Sequence, residues 1–303
     1  MHTVEVSHLA KRFGATQAVA DVSFAVDPGE IFGLLGPNGS GKTTTIRMAL
    51  DIFKPDAGQI QVFGGEMNLD KKRRIGYMPE ERGLYKDLKL EPTLVYLATL
   101  KGMDESAARM RLKPWLERFE LLDDRQKRVK ELSKGMQQKA QIISTLLHEP
   151  DLIVIDEPFS GLDPVSTRLV KQVLDEQRQA GRAILMSTHQ MHQAEALCDR
   201  IVLINQGRTV LYGSVTEIKR SFSGNAVTVE GQGDFNAIPG VLETRRENGT
   251  WRLALAVGTD PQAVLRTLVA RDGVRIERFE LAEPSLDDIF VQVVQQGREQ
   301  PAA

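Results

Sequence analysis

A single cysteine, Cys198, stands in the 303 residues, which excludes an intrachain disulfide and fits a reducing compartment, the cytoplasm. Long apolar runs are missing as well. The best stretches, TLVYLATL and AQIISTLL, fall short of the about 18 residues that a transmembrane helix needs, so the chain is not expected to span a membrane by itself. The N-terminal MHTVEVSHLAKRFG lacks the apolar centre of a signal peptide. Neither sign of charge dominates: with 39 basic and 41 acidic residues, nothing marks the whole chain as a nucleic-acid or membrane-surface binder. Any such contact must be local, and the basic run KKRR at 71–74 is expected to be a solvated surface segment. Internal repeats and low-complexity tracts are absent from the sequence.

The length suits one full domain plus a smaller one. Residues 4–28 alternate as a β-rich start, with a turn at Pro28 and Gly29. IFGLLG at 31–36 has the composition of a buried strand and leads through GPNGSGKTT into IRMALDIF, which has helical spacing. Residues 93–149 read as mostly helical, broken at Gly102, at Pro114 and around LSKG. Two more buried strands, LIVID and AILMST, flank a helix over VSTRLVKQVLDEQRQAG that Gly181 stops. Alternation of this kind implies an α/β domain with a mainly parallel sheet. After about residue 220 the character changes. SFSGNAV is a linker candidate, followed by strands at 226–230, 240–246 and 251–257, a helix at 261–271, a strand at 274–281 and a helix at 285–296. The expected division is 1–220, an α/β domain, and 221–303, a small α+β domain.

GPNGSGKT at 36–43 fits the spacing G-x-x-x-x-G-K-[ST]. Its glycines let successive backbone N–H groups turn inward, so that residues Asn38, Gly39, Ser40, Gly41 and Lys42 form an anion cradle opening onto Thr43 and Thr44. Lys42 reaches the β- and γ-phosphates of a nucleotide, and Thr43 offers a hydroxyl to Mg²⁺. The run LIVIDEP at 152–158 ends a buried strand in two carboxylates, Asp156 and Glu157. In a parallel sheet both features lie beyond the carboxyl ends of the strands. Asp156 is expected to hold Mg²⁺ and Glu157 to orient and deprotonate a water attacking the γ-phosphate.

ELSKGMQQK at 131–139, FSGLDP at 159–164 and STHQ at 187–190, together with the phosphate loop, resemble the ATP-binding-cassette (ABC) ATPases over residues 1 to about 220. The resemblance implies a P-loop NTPase fold with a helical signature subdomain. It also implies that Phe13 stacks on adenine and that His189 contacts the γ-phosphate as a third catalytic residue beside Glu157 and Lys42. Ser133 and Gly135 match the signature that caps the γ-phosphate of ATP held by another protomer, and Asp163 the loop that communicates across the dimer. ATP and Mg²⁺ are then the cofactors, and an ATP-dependent homodimer the working form.

Two positions depart from the family pattern: the signature reads LSKGM, with Lys134 near the phosphate, and Glu80 in GYMPEERGLY stands where a glutamine is usual. The latter stretch and EPSLDDIFVQVV near the C-terminus resemble exporter ATPases of the sodium-extrusion and drug-efflux type, which carry a small accessory domain. Glu80 is therefore a candidate third Mg²⁺ ligand, against the alternative of a surface pair with Arg82 or a lysine. The implied partner is a separate transmembrane permease and not nucleic acid, with the chain peripheral on the inner face of the cell membrane. A soluble ABC ATPase acting on DNA or the ribosome is the alternative, disfavoured because the chain has no long coiled coil and only one cassette. A regulatory nucleotide binder is expected to lack Glu157 or His189, and both are present. Phe13 also has a reading as an ordinary core aromatic, and His189 with His192 one as a metal pair that lacks further ligands.

Overall fold

The computed structural model describes residues 1–81, 83–222, 226–247, 249–256, 258–282 and 284–299. The expected linker's residues 223–225 and Arg82 lie outside the described residues. The chain divides into two compact units, Met1–Val215 and Thr216–Ala303.

The first unit opens with β1 (Val4–Phe13) and β2 (Thr16–Val26), an antiparallel pair whose alternating burial follows their alternating composition. Next come β3 (Ile31–Leu35), α1 (Lys42–Ala49), β4 (Ala57–Val62), α2 (Leu69–Arg73) and β5 (Ile75–Met78). The helical stretch is α3 (Leu90–Leu100), α4 (Glu105–Arg118) and α5 (Lys134–Leu146). The unit continues through β6 (Leu152–Asp156), α6 (Pro164–Gln179), β7 (Ala183–Thr188), α7 (Met191–Leu197), β8 (Arg200–Asn205) and β9 (Arg208–Ser214), where α8 (Val215–Phe222) begins.

These strands form one nine-stranded sheet in the order β4-β1-β2-β9-β8-β3-β7-β6-β5. From β8 to β5 the neighbours are parallel, and β3, β6 and β7 are buried along their whole length, in keeping with their largely apolar composition, polar only at the carboxyl ends of β6 and β7. The other half is largely antiparallel, so the sheet is more mixed than the strand–helix alternation suggests. The halves meet where β2 and β9 share a single register pair, Asp21 with Arg208. At that seam the Gly207 carbonyl accepts from Ala20 N at 2.7 Å and Asp21 N at 3.1 Å, and Gly207 N donates to the Ser40 carbonyl at 2.9 Å.

Pro114 does not break the helical stretch as expected; it sits inside α4. Its ring is exposed, while Ala108, Leu112 and Leu116 bury the opposite face, so packing on both sides offsets the one lost backbone hydrogen bond. The helix does stop near Gly102, which takes φ +96° after α3, and LSKG falls at the start of α5. The KKRR segment is half-buried at Lys71 and Lys72, and its charges are engaged: Lys71 with the Val62 carbonyl, Lys72 with Asp51, Arg73 with Asp70 and Arg74 with Asp151. Cys198 is buried as a small apolar group, and burial pushes its thiol far above the ordinary range.

Beneath the helical stretch, His148 Nε2 lies 3.2 Å from the Ile75 carbonyl, which also accepts from Lys101 Nζ at 2.8 Å. Burial, reinforced by the charge on Lys101, lowers His148 from the ordinary 6.5 to about 4. Between those values the unfolded chain binds this proton and the folded chain does not, so stability is intact above 6.5 and falls as pH drops towards 4. His148→Gln is expected to flatten the acid limb of a Tm-against-pH profile over that window; an unchanged slope would assign the acid loss to other groups.

In the second unit β10 (Ala226–Gln232), β11 (Val241–Glu247), β12 (Thr250–Leu255) and β13 (Arg275–Leu281) form an antiparallel sheet in the order β11-β12-β10-β13. With α9 (Pro261–Val269) it encloses a core of Val227, Val229, Phe235, Leu253, Val264 and Leu268. The chain closes on α10 (Leu286–Glu299), which buries Leu286 and Ile289.

Candidate nucleotide site

β3 ends at the loop 36–41, and its geometry demands glycine at two points. Gly36 has φ +146°, and a Cβ there would stand 2.1 Å from the Ile204 carbonyl oxygen; at Gly41, with φ +108°, it would stand 2.5 Å from that of Ala18. Neither position admits a side chain without moving backbone. α1 starts immediately after, with no acidic residue in its first turn, so its N-terminal N–H groups face the loop without an anion of their own.

Lys42 is buried, and its Nζ donates to the Gly36 carbonyl at 2.8 Å and the Pro37 carbonyl at 3.1 Å. Burial lowers its pKa, opposed by the nearby charges of Glu157, Asp156 and Glu80. The next residue, Thr43, donates from Oγ1 to Asp156 Oδ2 at 2.9 Å. Asp156 ends β6 and is 1 % exposed, and its other oxygen accepts from the Ser187 hydroxyl on β7. The strand pairing puts the two side by side, since Asp156 and Ser187 are register partners.

Glu157 follows in the left-handed region, at φ +54°. A non-glycine residue there carries on the order of 1–3 kcal/mol of strain, and the surroundings hold it in place. Glu157 N donates to the Ser187 carbonyl at 3.1 Å. Gln138 Nε2 donates to the Pro158 carbonyl at 3.2 Å. The carboxylate accepts from Thr188 Oγ1 at 3.3 Å and from His189 N at 3.0 Å, and His189 Nδ1 lies 2.7 Å from Oε1.

These groups border a cavity of about 490 Å³ lined by Thr16, Gln17, Ala18, Asn38, Gly39, Gly41, Lys42, Thr43, Thr44, Glu80, Asp156 and Glu157. The two walls come from β2 on one side and from the loop, α1 and the end of β6 on the other. Ser40 is buried beside this lining. Phe13 is not a core residue: it is 44 % exposed, pairs in register with Thr16 and meets Phe53 edge-on at 5.4 Å between ring centres. Ser133 and Gly135 lie elsewhere, at the start of α5, where Ser133 Oγ caps the helix by accepting from Met136 N at 3.2 Å. Asp163 caps α6 in the same way, and the Ser166 hydroxyl donating to it brings its carboxyl down to about 2.

The donor set suits Mg²⁺. Thr43, Asp156 and Glu80 offer oxygen alone, the chemistry of a hard cation. Among the described residues no cluster of three or more His, Cys, Asp or Glu stands ready to hold an ion.

Gln138, Gln141, Ser187 and Thr188 escaped the motif reading as supporting groups. Their signal was polarity in the wrong place: Gln138 and Gln141 sit three apart on the buried face of α5, and Ser187 and Thr188 end a fully buried strand.

A parallel sheet delivering a glycine-rich loop and an acidic strand end to one cavity defines a nucleotide-hydrolysing protein of the P-loop class. The comparisons are narrower. Residues 19–160 match the ABC transporter family, and residues 213–294 match the C-terminal domain of DrrA1-3-like ATP-binding proteins. An uncharacterized ABC transporter ATP-binding protein, YhaQ of Bacillus subtilis, is 41% identical over 292 residues, covering 95% of this chain and 97% of YhaQ. The Nod factor export ATP-binding protein I of Burkholderia lata is 33% identical, covering 98% of this chain and 97% of its own. The daunorubicin/doxorubicin resistance ATP-binding protein DrrA of Streptomyces peucetius is 31% identical, covering 95% and 91%. A solved ATP-binding subunit of an ABC transporter superposes with a TM-score of 0.69 at 37% identity, covering 73% of this chain and 93% of that one. The chain belongs to the ABC transporter ATP-binding proteins and is an ATPase.

Proposed function

We propose that the chain is the energy-coupling subunit of an exporter: a cytoplasmic ATPase that dimerises around ATP beneath a separate membrane permease. The observation that carries this is the single cavity at which the phosphate loop, Asp156 and Glu157 converge. Export is supported by relatives named for Nod factor export and for drug resistance, both aligned across the accessory unit as well as the ATPase unit. Among the described residues no helix is long and apolar enough to cross a membrane, which fits a subunit that borrows its permease. Residues 221–303 are proposed as accessory, contributing no catalytic group.

In this reading the loop amides from Asn38 to Lys42 hold the β- and γ-phosphates, and Lys42 leaves the Gly36 and Pro37 carbonyls to bind them. Thr43, Asp156 and Glu80 hold Mg²⁺, which when bound neutralises charge on the phosphates. Glu157 orients the attacking water and accepts its proton, while His189 fixes the carboxylate and reaches the γ-phosphate. Phe13 is free to stack on adenine, since nearly half of it faces solvent. Ser133 and Gly135 stand apart from the chain's own cavity, which supports their serving a partner's nucleotide. ATP should therefore act as the interface glue: a hydrolysis-deficient Glu157→Gln chain with Mg-ATP is expected to move from monomer to dimer in size-exclusion chromatography. A folded variant that stays monomeric at saturating ATP and high protein concentration removes the composite site.

Tyr85, ahead of α3, and Tyr96, within it, are both exposed with their rings 6.3 Å apart. They offer the permease an aromatic footing on the segment that follows Glu80. Glu80 itself gives Mg²⁺ a charged ligand where the family pattern has a neutral amide. Attraction to the metal and repulsion from the γ-phosphate are each about 3 kcal/mol at an effective dielectric of 20 and roughly 5 Å, and they oppose. Nucleotide affinity therefore changes little on Glu80→Gln, but the Mg²⁺ concentration for half-maximal ATPase activity rises. Superimposable Mg²⁺ activation curves would take Glu80 out of the metal site.

A further inference from the structure

We propose that Gln141 is the positioning residue for Glu80, tying the metal site to the signature helix; the proposal rests on the assignment of Glu80 to Mg²⁺. Gln141 is 3 % exposed, on the inward face of α5. Its Nε2 donates to the Pro79 carbonyl at 3.0 Å and to the Glu81 carbonyl at 3.1 Å. These are the carbonyls on either side of Glu80. A single amide thus grips the loop at both flanks of the one residue whose side chain enters the cavity from this direction.

The orientation of the amide is not arbitrary. Turned over, its Oε1 would face two carbonyl oxygens, so the two acceptors dictate that Nε2 points at the loop. The consequence is visible on the other side: Gln141 Oε1 is buried with no hydrogen-bond partner. An unmet buried acceptor costs free energy, and an apolar side chain of similar length would avoid that cost. An apolar side chain would, however, leave the Pro79 and Glu81 carbonyls without the donor that glutamine supplies, so it is the hold on the loop that glutamine provides here.

The anchor matters as much as the grip. α5 begins at Ser133 and Gly135, and one turn further on Gln138 holds the Pro158 carbonyl directly after Glu157. The same rigid helix therefore carries the signature at its tip, steadies the acid read as the base and fixes the acid read as a metal ligand. A shift of the helix tip against a partner's nucleotide is passed to Glu80 through Gln141.

The test uses the full chain and measures Mn²⁺ as a paramagnetic stand-in for Mg²⁺, by loss of the free-ion EPR signal in the presence of a non-hydrolysable ATP analogue. Gln141→Met is expected to weaken Mn²⁺ binding about tenfold, the scale of a lost outer support of a metal ligand. Metal-free nucleotide binding should stay unchanged. In a Glu80→Ala background the same substitution should have no further effect on Mn²⁺, because the ligand being positioned is gone. Should Gln141→Met not fold, Gln141→Asn keeps the amide but loses the reach and is read in the same way. Full Mn²⁺ affinity in a folded Gln141 variant, with Glu80→Ala weakened, overturns the positioning role alone. Equal weakening in both backgrounds overturns it too, as a general packing effect. Full affinity in Glu80→Ala itself overturns the metal assignment, and the inference with it.

Discussion

Glu157→Gln is expected to abolish steady phosphate release while ATP remains bound. The substitution keeps the length and shape of the side chain, and the backbone contacts around it, Glu157 N to the Ser187 carbonyl and Gln138 to the Pro158 carbonyl, do not involve the carboxylate. What is lost is a base. An amide cannot take the proton of an attacking water, and general-base catalysis contributes about 10²–10⁴-fold to a rate. The phosphate cradle of Asn38 to Lys42 is untouched, so affinity is retained. Binding and phosphate release measured on the same preparation separate the two effects; turnover at the wild-type rate would exclude Glu157 as the base.

Lys42→Ala has the opposite signature. The Lys42 side chain is buried, and burial pulls its pKa down against the opposing charges of Glu157, Asp156 and Glu80. Its removal leaves three acids around a cavity that must accept a polyanion. Truncating one partner of a buried charge pair costs about 2–5 kcal/mol, which corresponds to a loss of about thirtyfold or more in nucleotide affinity. Calorimetric titration with ATP reads this directly, and unaltered affinity would remove Lys42 from the phosphate site.

The parts of this molecule legible from sequence are those where local backbone chemistry leaves no choice. Gly36 and Gly41 are dictated by carbonyls only 2.1 and 2.5 Å from where a Cβ would fall, so the phosphate loop announces itself. The buried strands β3, β6 and β7 did so too, because a strand covered on both faces reads as a near-continuous apolar run, here broken only at the carboxyl ends of β6 and β7. Less legible was whatever depends on distant partners. Pro114 signalled a break that tertiary packing overrode. The antiparallel half of the sheet was readable strand by strand, but nothing local specified that β9 would lie against β2. Gln138 and Gln141 could be seen as misplaced polar residues, yet the carbonyls they hold come from loops 20 and 62 positions away in the chain. The roles of Phe13, Ser133, Gly135 and Glu80 rested on resemblance, and each now has a location against which its role can be measured.

The seam between β2 and β9 gives the cavity a mechanical character. Thr16, Gln17 and Ala18 belong to one plate of the sheet, while the loop, Asp156 and Glu157 belong to the other. The plates are joined by one ladder rung, by the Ala20 and Asp21 amides donating to the Gly207 carbonyl, and by side-chain bonds such as Ser23 N to Thr209 Oγ1 and Ala25 N to the Tyr212 hydroxyl. A nucleotide lying across them would bridge the two plates as well as feed the reaction, adding contacts where the sheet's own ladder is shortest and the shared core of Phe24 and Phe32 otherwise spans the join.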